Sequence, residues 1–86
     1  MNEARDELSI CLGKDNKIYA IGGFGTINQE PLKTVEVFDI KTEKWSYAPS
    51  LKFPRRALAC ASLADGIYAV GGFDGKQYLS SVEKFE

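Results

Sequence analysis

Apolar residues fall in short bursts along the chain, each closed by turn formers. Residues 8–12 (LSICL), 17–23 (KIYAIGG), 33–40 (KTVEVFDI) and 44–48 (KWSYA) are such bursts, rich in Ile, Val, Phe, Tyr and Trp. That composition, cut by Gly, Asn, Asp and Pro, predicts four short strands, a to d. GKDNK at 13–17 and DIKTEK at 39–44 predict tight turns between them. Strand b does not alternate: IYAI is apolar at every position. A strand with one wet face would alternate, so both faces of strand b are expected to be covered.

The pattern then returns. KIYAIGGFG at 17–25 comes back as GIYAVGGFDG at 66–75, with Ile18 falling on Ile67 at an offset of 49 residues. Cys11 meets Cys60 at the same offset, which places the two at equivalent positions of successive inner strands. Beyond the diglycine the offset drops to 47, so that Leu32 meets Leu79, Val35 meets Val82, Glu36 meets Glu83 and Phe38 meets Phe85. An indel confined to a Gly/Asn/Pro-containing loop fits a structural repeat. A period near 50 residues predicts stacked units that cannot bury their faces alone.

Composition narrows the chemistry. The chain has 86 residues, a net charge of -1 and no histidine. It therefore carries no electrostatic footprint for nucleic acid or an anionic membrane. Without histidine, Ser-His-Asp, Cys-His and His-zinc sites are excluded within one copy of the chain. No apolar run approaches the roughly 20 residues needed to span a bilayer. MNEARDELSI at 1–10 has no secretory h-region, and two cysteines are few, so a reducing, cytoplasmic location is expected. Both diglycines lack the Gly-Lys-Ser/Thr of a phosphate loop and read as strand ends.

A strand ending in diglycine (IYAIGG), then VEVFD, then Trp45, then FPRR, resembles the kelch repeat; the second copy supplies IYAVGG and VEKFE. The resemblance covers residues 8–86. Three residues depart from it: Phe38 and Phe85 stand where the family often has Tyr, and Leu51 where it often has Met. The resemblance implies an all-β fold of β-propeller blades, each a four-stranded antiparallel meander. Strand a would line a central channel and strand d the outside. Within 1–86, residues 8–51 form a complete blade, and 57–86 a second that lacks its outer strand. Only seven residues precede strand a, so no upstream segment is expected to supply that strand. The blade faces left open call either for neighbouring blades of a longer chain or for a head-to-tail homo-oligomer, three copies giving six blades.

The resemblance also places the b–c and d–a loops on one face: 24–33, 52–56 and 73–81. Arg55, Arg56, Asn28, Gln29, Asp74, Lys76, Gln77 and Tyr78 are the candidate partner-binding residues on it. The two arginines have two readings, gripping a partner's acidic groups or bonding loop carbonyls, and one can do each. Cys11 and Cys60 read as small buried hydrophobes rather than a disulfide. Trp45, Tyr19 and Tyr68 read as packing residues, and Phe24 and Phe73 as loop aromatics. Glu36 and Glu83 read as a repeated structural hydrogen bond rather than a catalytic pair. No catalytic residue, metal or cofactor is expected. The expected function is a protein–protein interaction module, serving substrate recognition for a cullin-type ubiquitin ligase within a parent protein. The alternatives are a self-assembling propeller element and an actin-binding segment.

Overall fold

A computed structural model of the chain describes residues 1–14 and 16–84. The strands are β1 (Arg5–Asp6), β2 (Ser9–Leu12), β3 (Lys17–Ile21), β4 (Phe24–Gly25), β5 (Glu30–Pro31), β6 (Val35–Asp39), β7 (Lys44–Ala48), β8 (Ala59–Leu63), β9 (Gly66–Val70) and β10 (Val82–Lys84). All pairings between them are antiparallel. Among the described residues no helix is long and apolar enough to cross a membrane. The fold is all-β, built of blade-like antiparallel meanders.

The first blade is the sheet β2-β3-β6-β7, and the second is the sheet β8-β9-β10. Turn chemistry sets the first blade's register. Asp39 accepts the Lys41 and Thr42 N–H groups on Oδ1, and the Glu43 N–H closes the turn on Asp39 O. The ladder then runs in step, with Tyr19 opposite Val37 and Val37 opposite Ser46. Phe38 stacks against Trp45 at a ring separation of 5.1 Å, so Trp45 packs on the outer strand. Phe85, the counterpart of Phe38, and Asp15 of the first turn lie outside the described residues.

A third, small sheet, β1-β4-β5, was not expected. It joins 5–6 to the b–c loop. The second repeat reproduces it as the bridges Arg56 to Phe73 and Phe73 to Tyr78.

The core lies where the two blades face each other. Residues opposite one another in the ladder share a face, so Cys11, Tyr19, Ile21 and Val35 point together toward the second blade. Ile67, Ala69 and Cys60 meet them, closed over by Leu51 and Leu58 from the connecting segment. Ile21, Val35 and Ala69 are completely buried. Strand b of the second blade alternates instead: Ile67 and Ala69 are buried while Val70 is exposed, because only one face of that sheet is covered.

The register corrects the placing of the cysteines. Cys11 lies opposite Tyr19, but the residue opposite Tyr68 is Ala61; Cys60 lies opposite Ala69, the counterpart of Ala20, whose partner is Ile10. The inner strands therefore correspond at an offset of 50, not 49, because the first hairpin turn is one residue longer. A shift of one residue along a strand reverses the face. Cys11 and Cys60 thus point at each other across the blade joint, with α-carbons 6.3 Å apart, and form a disulfide instead of remaining separate thiols. Disulfides are rare in the cytosol, so the cysteine argument for a reducing compartment does not carry over.

Candidate partner-binding face

The connecting segments Ala4–Leu8 and Pro54–Leu58 correspond at the same offset of 50, and each delivers a buried arginine. Arg5 donates to Gly22 O, Thr34 O, Thr34 Oγ1 and Glu36 Oε2. Arg55 donates to Gly71 O, Ser81 O, Ser81 Oγ and Glu83 Oε2. The same two carboxylates accept backbone N–H groups just ahead of each arginine. Glu36 takes those of Asn2 and Glu3, and Glu83 those of Lys52 and Phe53. Glu36 and Glu83 are therefore one structural device used twice, as their recurrence on strand c suggested.

Arg55 joins two blades. Its backbone bonds to the first blade, with its N–H donating to Leu32 O and its carbonyl accepting from Gly23 N–H, while its side chain bonds to the second. It is 0% exposed and cannot reach an outside partner, which corrects its place among the candidate binding residues. Arg56, the next residue of the connecting segment, points the other way. Its guanidinium carbon sits 4.0 Å from the centre of the Phe24 ring, and its Nε donates to Glu7 Oε1 at 2.6 Å. That hydrogen bond holds the Glu7 carboxyl below its usual range and raises Arg56. Arg56 is half-buried and stays on the loop face.

The loop after the second diglycine is fixed by Asp74. Its Oδ1 accepts the Lys76 and Gln77 N–H groups, each at 2.8 Å, and these bonds hold its carboxyl below the usual range. The turn projects Lys76, Gln77 and Tyr78 outward, with Tyr78 87% exposed and its ring 4.9 Å from that of Phe73. Because its folded pKa is lowered, Asp74 supports the turn fully above the unfolded carboxylate range and loses that support as pH falls through the folded value. Acidification below about pH 4 is expected to release the Lys76 and Gln77 amides before the blades unfold, read by residue-resolved hydrogen exchange.

Asp74, Gln77 and Tyr78 line one open groove of about 390 Å³ with Phe53, Leu79, Ser80 and Ser81. Asn28 and Gln29 are exposed on the corresponding loop of the first blade, where Asn28 borders a separate hollow of about 130 Å³ with Ile27 and Leu32. Pro31 and Gly75 lie close enough for the two loops to touch, since a Cβ on Gly75 would stand 3.3 Å from Pro31. The face is thus aromatic with polar edges, carried on fixed backbone. Phe53, half-exposed, was not singled out from sequence, though an aromatic directly before Pro-Arg is visible there. Among the described residues no cluster of three His, Cys, Asp or Glu side chains could hold a metal ion.

The repeated architecture agrees with comparison to known proteins. The kelch motif matches residues 12–52 and 54–86, and the chain belongs to the kelch-repeat family. It is 37% identical over 69 residues to kelch-like protein 8 of Mus musculus, covering 80% of this chain and 11% of that protein. An F-box/kelch-repeat protein of Arabidopsis thaliana is 39% identical over 78 residues, 91% of this chain and 20% of its own length. The influenza virus NS1A-binding protein homolog of Xenopus laevis is 38% identical over 61 residues, 71% of this chain and 9% of that relative. The chain thus spans a fifth or less of these relatives. Kelch repeats and these relatives mark it as part of a protein-interaction module.

Proposed function

We propose that the chain binds a protein partner through the loop face around Tyr78, with Phe53, Gln77 and Asp74 beside it and Arg56, Lys76, Asn28 and Gln29 at its edges. The observation that carries this reading is an 87% exposed tyrosine held on a hydrogen-bonded turn beside an open groove. A rigid exposed aromatic loses little freedom on binding, and such residues anchor interfaces. The mixed, nearly neutral face suits a protein surface rather than a polyanion. Within a longer parent the same face would recruit substrates to a cullin-type ubiquitin ligase. Relatives named kelch-like and F-box/kelch-repeat support that reading.

Tyr78→Ala is expected to weaken partner binding by about 2 kcal/mol, roughly thirtyfold, as loss of an interface anchor does. Folding stability should change by no more than about 0.5 kcal/mol, the usual range for a surface site. The check is capture of proteins from extract by the chain, by Tyr78→Ala and by Lys14→Ala on another loop. An unchanged set of bound proteins in all three would remove the loop face from the proposal.

A further inference from the structure

The joint between the two blades is fastened at two ends. At the loop-face end the connecting segment does it: Gly23 N–H donates to Arg55 O, Arg55 N–H to Leu32 O, and Ala57 N–H to Glu7 O. At the inner end the fastening is sulfur. β2 and β8 are edge strands of different sheets, and Cys11 of one is bridged to Cys60 of the other. The joint does not hang on that bridge alone. Its backbone bonds and its core of Tyr19, Ile21, Val35, Ile67 and Ala69 remain when the sulfurs part.

The two sulfurs are not equivalent. Cys11 is buried in the core, whereas Cys60 is only partly buried at its edge. Cys60 also has a second partner. Ser9 pairs with Ile21 and Cys11 with Tyr19, so both lie on the joint face of β2, two residues apart. Cys60 meets the pair of them: it is bonded to Cys11, and Ser9 Oγ donates to its Sγ at 3.1 Å. A bridged sulfur is a weak acceptor and gains little from that donor. A thiolate gains much, because a hydrogen bond to the charged form lowers the thiol's pKa. The hydroxyl therefore serves the open state of the bridge.

We infer that the Cys11–Cys60 bridge is a reversible redox clamp on the blade joint, opened from the Cys60 side by a small monothiol such as glutathione. The monothiol's thiolate attacks Cys60 Sγ, the S–S bond breaks, and Cys11 Sγ leaves with the electron pair and takes a proton from water. A second monothiol then attacks the mixed disulfide at the monothiol's own sulfur, and Cys60 leaves as a thiolate beside the Ser9 hydroxyl. Two monothiols are oxidised to their disulfide while the bridge is reduced to two cysteines; that disulfide, as oxidant, runs the steps backwards. Opening removes a cross-link between residues 49 apart in sequence. Such a loss lowers the folded-to-unfolded ratio by about thirtyfold to a thousandfold. The connecting segment and the core keep the blades folded.

The test is the intact mass of the 86-residue chain, its thiols alkylated, after equilibration in glutathione buffers of rising reduced-to-oxidised ratio, with amide exchange at Gly22, Gly23, Ala57 and Gly71. The bridge is expected to open in the folded chain and to close again when the ratio is reversed. Opening should speed exchange at Gly23 and Ala57, whose bonds cross the joint, at least about tenfold. Gly22 and Gly71, bonded within their own blades to Thr34 O and Ser81 O, should keep their protection. A bridge that never forms, or that resists reduction until the chain is denatured, overturns the proposal. Reduction that exposes all of these amides alike makes the bridge a staple of the whole fold and overturns it too, as does reduction that changes none of them. In Cys11→Ala, Cys60 is expected to take up oxidised glutathione at least about tenfold faster than Cys11 does in Cys60→Ala. Adding Ser9→Ala to the first should move the pH midpoint of that uptake upward. Equal rates overturn entry at Cys60, and an unmoved midpoint overturns the role of Ser9. If a variant does not fold, the mixed disulfide trapped in the unaltered chain decides, and finding it on Cys11 counts against the proposal.

Discussion

Arg55→Ala is expected to cost about 3–5 kcal/mol, the range for breaking a buried ion pair by removing one partner. The change strands the Glu83 carboxylate, whose side chain is only 10% exposed, and removes the donor to Gly71 O and Ser81 O. Domains of this kind have about 5–15 kcal/mol in all, so the variant should be largely or partly unfolded near room temperature. The adjacent Arg56→Ala should cost far less, because its partner Glu7 is exposed and the pair is screened. Arg55→Lys should fall between, since an ammonium keeps the charge but cannot span carbonyl and carboxylate as the planar fork does. Chemical denaturation of the three variants checks this. Equal losses for Arg55→Ala and Arg56→Ala would contradict the assignment of one arginine to the interior and the other to the face.

Gly22→Ala should be nearly as damaging for a different reason. Gly22 sits at φ 60°, where an alanine pays about 1–2 kcal/mol for the left-handed backbone. Its Cβ would also lie 2.6 Å from Arg55 O, a backbone atom that can retreat only by pulling the connecting segment off Gly23 and Leu32. The expected loss is therefore more than about 2 kcal/mol. It should appear as lost protection of the Gly23 amide together with a lower midpoint of unfolding. A variant as stable as the parent would show that the diglycine is not set by the close approach of Arg55.

Much of this architecture was legible in the residues. The bursts at 17–21, 35–39 and 44–48 became strands because each carries aromatic residues, the first two with β-branched ones beside them, and adjoins a turn that fixes its partner. The repeated glutamate on strand c was readable as structural because it recurs with the strand. The small loop sheets were not readable, since a two-residue strand has no period. Arg5 escaped notice because ARDEL and PRRAL share only their arginine and leucine, and one extra residue in the first hairpin hides the match. That same residue made Cys11 and Cys60 look equivalent when they are one step out of phase and face one another. Arg55 and Arg56 are chemically identical in a list of residues. Only their place along the connecting segment sends one inward and the other over Phe24.

The connection at 52–58 belongs to both blades at once: its main chain is part of one and its arginine part of the other. The unit that repeats in sequence is therefore not the unit that melts. Coupling between neighbours in this array runs through a seven-residue strap as well as through the shared core and the Cys11–Cys60 disulfide, so the blades stand or fall together although their sheets are separate. A backbone cut in the hairpin at 64–65 would leave every cross-blade bond in place, whereas a cut within the strap would divide the cooperative unit at its centre.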